Sequence, residues 1–194
     1  MSPERIAWRE LAPQAWKNGA GLTRELAVSP PHAGSDFDWR ISVAEVARDA
    51  PFSAFPGVDR CIVLLGGAGM LLREARGAWL QRLDQPLQPF DFPGDVDVDA
   101  RLIDGPSHDF NVMTRRGRWR SEVGVVRVAQ ATPPADAGLL MCCEGTWRME
   151  GVEPKLQSSQ ALLWRTNMPA LQLHPEGDRS SLILVRLVCQ DCSR

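Results

Sequence analysis

Histidine is scarce in this chain: His32, His108 and His174 are the only imidazoles among 194 residues. Imidazole is the commonest metal ligand and the side chain best suited to proton transfer near neutral pH. The sequence therefore has little from which to build either a histidine-rich metal centre or a histidine-based catalytic site. Long apolar runs are missing as well. No stretch approaches the about 20 residues of a membrane-spanning helix, and the N-terminus, with Glu4, Arg5, Arg9 and Glu10, lacks the apolar core of a signal peptide. No membrane partner is expected. Neither sign of charge dominates: the formal net charge is −2, which offers no basic field to nucleic acid or anionic lipid. Cysteines number five, an odd count, and Cys142 and Cys143 are neighbours. Such a set suits reduced thiols in a cytoplasm better than a secreted disulfide framework. Helical periodicity is also rare, because 15 prolines and 16 glycines interrupt the chain every few residues.

What remains between those interruptions is strand pattern. Phe37, Trp39, Ile41 and Val43 alternate with Asp38, Arg40, Ser42 and Ala44, the period of two expected of a half-buried strand. Cys61 to Leu65 and Gly69 to Leu72 read as two strands joined by a tight turn at Gly66-Gly67. Val96 and Val98 alternate with Asp95, Asp97 and Asp99. Phe110, Val112 and Thr114 alternate with Asp109, Asn111 and Met113. Many short strands imply an all-β sandwich or barrel, and a hydrophobic fraction of 44% with seven tryptophans is enough for a sizeable core. The run Leu139 to Met149, then Leu156-Gln157 and Ala161 to Trp164, repeats the order of the first half loosely. Leu182 to Val188 suits a central strand. The Ala- and Pro-rich stretch Ala129 to Gly138 reads as the link, giving lobes at 1–128 and 129–194, with some N-terminal strands free to cross over.

The order of short strand, glycine turn, short strand, spacer, Gly-Asp turn and strand resembles a cupin barrel. Three stretches narrow the resemblance: Trp16-Lys-Asn-Gly-Ala-Gly21-Leu-Thr-Arg-Glu25, Phe55-Pro-Gly-Val-Asp-Arg60 and Asp109-Phe-Asn-Val-Met-Thr-Arg-Arg-Gly117. Together they resemble the HutD/Ves family, and the likeness covers about residues 8 to 120, with a weaker second lobe following. The resemblance implies a two-lobed cupin (bicupin) fold and an association with bacterial histidine utilisation. It carries a ligand-sensing or moderating role, with no established enzymatic activity.

Cupin enzymes hold a divalent metal with three imidazoles and a carboxylate. Laying Gly67 on the last glycine of the first cupin motif puts Arg60 at the carboxylate and brings the two histidine positions near Ser53 and Phe55. The second motif, laid on Gly94-Asp95, puts Gly105 near the third. No histidine falls on any of these, so no metal and no other cofactor is expected. His32 and His174, each beside proline, read as loop residues, and His108 as a loop cap or a ligand contact. Cys189-x-x-Cys192 is one pair without a second, which reads as free surface thiols. The Asp95, Asp97, Asp99 stripe reads as a solvent face, since it lacks the glycine and glutamate of a calcium loop. Arg115-Arg116-Gly117-Arg118 reads as a solvated basic turn.

An emptied barrel still has a concave interior, and a guanidinium inside it must be paired or solvated. Arg60 either keeps a permanent partner (Asp59, Glu25 or Asp109) or forks onto a carboxylate or formyl oxygen of a small ligand. Lys17, Asn18, Thr23 and Glu25 supply donors and acceptors in one short stretch. That stretch is a strand-turn-strand at the barrel mouth, a ligand contact, or both. Asp109, Asn111 and Met113 share a strand face that points either into the barrel or to solvent. The expected function is non-enzymatic binding of a small anionic metabolite of the formylglutamate or urocanate class. The alternative is a metal-independent isomerase or hydrolase with Glu25 or Asp109 as general base and Arg60 as anion clamp. A metalloprotein assembled from His108, Asp109 and cysteines stands third. The tryptophan-rich β surface leaves homodimer formation open.

Overall fold

In a computed structural model, residues 2–191 are described. They form 17 strands and one short 3-10 turn at Trp8–Glu10, with no α-helix among the described residues and hence no helix able to cross a membrane. In chain order the strands are β1 (Glu4–Ala7), β2 (Gln14–Ala15), β3 (Gly21–Ser29), β4 (Trp39–Val46), β5 (Ala50–Phe52), β6 (Val58–Gly66), β7 (Met70–Glu74), β8 (Leu80–Leu83) and β9 (Pro89–Pro93). They continue as β10 (Val98–Leu102), β11 (Ser107–Arg115), β12 (Trp119–Val126), β13 (Gln130–Thr132), β14 (Ala137–Met149), β15 (Val152–Gln157), β16 (Gln160–Trp164) and β17 (Leu171–Cys189). The all-β class read from the proline and glycine punctuation is what the chain adopts.

Two compact units divide the chain, one of Ala12–Arg118 and one joining Met1–Leu11 to Trp119–Arg194. The division falls earlier than the Ala- and Pro-rich stretch suggested. β12 pairs with β17 along its whole length, and β1 pairs with β16, so both belong to the second lobe. The stretch Ala129 to Gly138 is no free link: it contains β13, which pairs with β17, and the start of β14.

The first lobe has a six-stranded antiparallel sheet in the order β2-β3-β4-β11-β6-β9 and a four-stranded sheet in the order β5-β10-β7-β8. Side chains of both meet in one apolar cluster: Val46, Ile62, Leu64 and Phe92 from the larger sheet, and Phe52, Met70, Leu72, Leu83, Val98 and Ala100 from the smaller. Burying side chains of this size contributes roughly 1.5–3 kcal/mol each. The strands on either side of Gly66-Gly67 form as expected, but they are no hairpin. β6 pairs with β9 and β11, whereas β7 pairs with β8 and β10, so the turn carries the chain from one sheet to the other. Gly67 and Gly69 have positive φ, and a Cβ there would lie 2.4 Å from the Pro106 carbonyl oxygen and 2.1 Å from that of Leu83. Only glycine fits both the dihedral and the space.

Two surface expectations separate. Asp97 and Asp99 are exposed, as the alternation with buried Val98 requires. The basic cluster, by contrast, stitches loops together. Arg115 donates to the carbonyls of Ser35, Phe37 and Pro56, Arg116 bonds both Asp59 and Asp95, and Arg118 pairs with Asp38.

In the second lobe one sheet runs β1-β16-β14-β17-β12, with β13 on β17 and β15 on β14. β14 and β17 are long and carry bulges near Cys142, Glu144 and Thr146, with Gly145 at φ +80 between them. Bulges increase local twist and bend a strand. Trp147, Trp164, Leu140, Leu156, Leu162, Leu173 and Leu182 form the core of this lobe. His174 lies in β17, half-buried at 3.8 Å from Glu150, rather than in a loop. Cys61, Cys142 and Cys143 are free thiols. Cys189 is disulfide-bonded, which corrects the expectation of a free thiol there, and Cys192 lies outside the described residues.

Candidate functional site

Cross-strand register builds the site. On β4 and β11, Ala44 faces Asp109, Ser42 faces Asn111 and Arg40 faces Met113. β6 adds Arg60 opposite Met113, and β9 adds Phe92 opposite Arg60. Thr23 of β3 completes the row through Ala44. Because side chains alternate across a sheet, these residues share one face. That face, Phe92 apart, lines a cavity of about 550 Å³, together with Gln14 to Asn18 and the segment Pro51, Phe52, Ser53 and Phe55. The other face of the same strands carries Trp39, Ile41, Val43, Phe110 and Val112, each 2% exposed or less. β4 is thus largely buried on both faces rather than half-buried: its Arg40 and Ser42 face a cavity instead of solvent.

Arg60 is the centre of the deep end. It is 7% exposed, and its guanidinium carbon lies 4.8 Å from the Phe92 ring centre, 5.3 Å from Phe52 and 5.7 Å from Phe55. Three rings hold the cation by their negative faces. Its Nη2 donates to Asn111 Oδ1 at 3.0 Å, and its Nη1 reaches the Ser53 carbonyl at 3.5 Å. Asn111 in turn donates from Nδ2 to Asp109 Oδ1. A chain Arg60–Asn111–Asp109 therefore links cation to acid through an amide. Two buried polar atoms along it, Arg60 Nε and Asp109 Oδ2, have no hydrogen-bond partner. Burial pushes the Asp109 carboxyl up to about 7, against the opposing pull of Arg60 and Asn111. Burial also brings the Arg60 guanidinium down to about 10, partly offset by Asp109. Arginine remains charged at neutral pH at either value.

Of the residues singled out from sequence, Lys17, Asn18, Thr23, Arg60, Asp109, Asn111 and Met113 all line this cavity. Glu25 does not, since its carboxylate is tied to Arg40 Nε at 2.7 Å. Asp59 is engaged by Arg116, which leaves Asp109 as the acid nearest in function to Arg60. The Trp16 to Glu25 stretch is a strand-turn-strand, with Gly19 at φ +65 and the Asn18 side chain accepting from the Ala20 amide at 3.0 Å. Trp16 donates to Thr23 Oγ1 at 2.8 Å and meets Phe52 edge-on, so it forms a wall of the mouth. Ser53 and Phe55 line the cavity beside Arg60, whereas Gly105 sits on an exposed turn. Sequence reading missed Arg40 and the aromatic residues Phe52 and Phe92. The alternation around Arg40 was legible, but that its polar side faced inward was not.

His108 points away from the cavity and lies 3.6 Å from Glu45. His32 is an exposed loop residue. Among the described residues no group of three His, Cys, Asp or Glu side chains is placed to hold a metal ion. The cavity offers a caged guanidinium, an amide, a carboxyl poised near neutrality, and a mouth with Lys17.

The comparisons agree with this architecture. A family model described as HutD matches residues 9–183. Protein Ves of Citrobacter koseri is 39% identical over 171 residues, 87% of each chain. The structure of HutD from Pseudomonas fluorescens SBW25 (formate condition) is similar at a TM-score of 0.84 and 28% identity, over 97% of this chain and 99% of that one. A Cupin 2 conserved barrel domain protein from Leptotrichia buccalis, 9% identical, is similar at a TM-score of 0.60 over 96% of this chain and 97% of its own, a likeness of fold alone. With a matched region spanning both lobes, the chain belongs to the HutD family, and its fold is cupin-like.

Proposed function

We propose that this chain is a non-enzymatic small-molecule-binding protein that senses or moderates histidine utilisation. Its first-lobe cavity takes a small carboxylate metabolite of the formylglutamate or urocanate class, and it works in the cytoplasm. The observation that carries the reading is Arg60, a buried cation lining a cavity and held there by an amide and three aromatic rings rather than by a direct carboxylate partner. A buried guanidinium without a direct ion-pair partner is costly, and a ligand carboxylate in the cavity offers it a partner of suitable charge and geometry. The volume, about 550 Å³, falls in the usual range for small-molecule sites. The related HutD of Pseudomonas fluorescens was solved in a formate condition, and formate is the simplest carboxylate.

Thermal-shift measurements across histidine-breakdown metabolites test the reading. A ligand at 100 times its Kd raises the unfolding free energy by about 2.7 kcal/mol, so at least one metabolite at millimolar concentration is expected to raise Tm clearly. Flat curves for all of them, reproduced by calorimetry, count against it.

A second reading, a metal-independent isomerase or hydrolase, is favoured by one observation. Asp109 has an unpaired oxygen and a carboxyl near 7, as a general base requires. Incubating the protein with each metabolite and following product by NMR separates the two readings.

A further inference from the structure

Two of the three cations lining the cavity are matched by an acid. Arg40 from β4 is paired with Glu25 of β3, and Arg60 from β6 is linked through Asn111 to Asp109 of β11. Lys17, in the turn after β2, is exposed at the mouth, and the segment Pro51 to Phe55 brings no ionisable group. His108 and Glu45 pair with each other outside the lining. A carboxylate docking on Arg60 would therefore add a second negative charge to a deep end that already holds one acid for its one cation. An uncompensated buried charge is too costly to leave in place. Glu25 is 32% exposed in its side chain and stays with Arg40. Asp109, 1% exposed, has only an amide as hydrogen-bond partner, and its Oδ2 has no partner.

We propose that the deep end of this cavity binds its carboxylate together with one proton, and that Asp109 takes that proton on Oδ2. The inference rests on the carboxylate reading above and adds how the site balances charge and what it selects. The proton comes from solvent and ends on Asp109. The new O–H turns an acceptor-only group into a donor and removes the negative charge that would oppose an anion on Arg60. The deep end then carries one cation and one anion, the ligand's. A neutral ligand gains nothing from this exchange, so Asp109 acts as a specificity residue for small anions. Burial, which already raises the Asp109 carboxyl to about 7, sets the pH at which the proton must be fetched. Below that pH Asp109 carries it before the ligand arrives, and above it binding has to draw it from solution.

The probe is N-formyl-L-glutamate, whose carboxylates stay ionised above about pH 6. Titration calorimetry in two buffers of different ionisation enthalpy at pH 8 is expected to show close to one proton taken up per ligand bound. Kd is expected to be flat below about pH 7 and to rise roughly tenfold per pH unit above it. In Asp109→Asn, whose amide keeps a donor without titrating, proton uptake is expected to vanish. Kd for this variant should stay near the low-pH wild-type value across the range. Wild-type binding with no proton uptake and a flat pH profile overturns the inference while leaving the carboxylate reading intact. Absence of probe binding at every pH removes both. The buffer comparison is made on the unaltered protein, so a folding defect in the variant does not shield the proposal.

Discussion

Trp147, Trp164 and a set of leucines occupy the interior of the second lobe, whereas the inner sheet face of the first lobe carries Arg40, Ser42, Arg60, Asp109 and Asn111 around a cavity. Both interiors are walled by antiparallel strands, longer in the second lobe, where β14 and β17 run its length. The difference lies in which face of the alternation is polar and whether anything fills the space. A filled interior gains dispersion contacts and apolar burial. A hollow one with buried ionisable groups gives up part of that stabilisation, and natural proteins retain such sites where function needs them.

Substitutions in each lobe break or sharpen this contrast. The largest effect is expected from Trp147→Ala, which empties a wholly buried ring and should lower the unfolding free energy by about 3–5 kcal/mol, read by urea denaturation. The opposite sign is expected in the first lobe. Arg60→Met with Asp109→Leu removes both members of the buried charge pair, and such replacements often raise stability by about 1–4 kcal/mol. Calorimetric binding of N-formyl-L-glutamate should be lost in the same variant. A double variant that is both destabilised and still able to bind would erase the distinction between the lobes.

A smaller effect follows from pH. The Asp109 carboxyl lies at about 7 in the fold, above its ordinary 3.8, so between those values the folded state binds more protons than the unfolded chain. Stability from this group is present below 3.8 and is lost as pH rises through about 7. Stability of Asp109→Asn, measured by denaturation across that window, should lack this downward component. The smallest change is expected from Arg116→Ala. Its partners Asp59 and Asp95 are exposed, and surface pairs of this kind contribute about 1 kcal/mol or less.

The same contrast explains what the sequence made legible. Period-two alternation marked β4 and β11 correctly, because alternation depends only on local side-chain direction. It did not reveal that Arg40 and Ser42 face a cavity, since a polar row toward solvent and one toward a hollow have identical patterns. The Gly66-Gly67 turn was visible, but its role as a crossing between sheets depends on partners such as Pro106 and Leu83, far along the chain. Likewise Phe52, Phe55 and Phe92 converge on Arg60 only through pairing of distant strands. The stretch Asp109 to Met113 was legible as one face, and its inward direction followed from the register with β4 and β6.

The most direct measurement is titration calorimetry of N-formyl-L-glutamate into the wild-type protein and into Arg60→Met at pH 6. The expected result is saturable binding of one ligand per chain in the wild type and a loss of at least about 30-fold in the variant, from a charged hydrogen-bonded contact removed. Undiminished binding in Arg60→Met, or no binding in the wild type, would contradict the assignment of the first-lobe cavity as a carboxylate site built on Arg60.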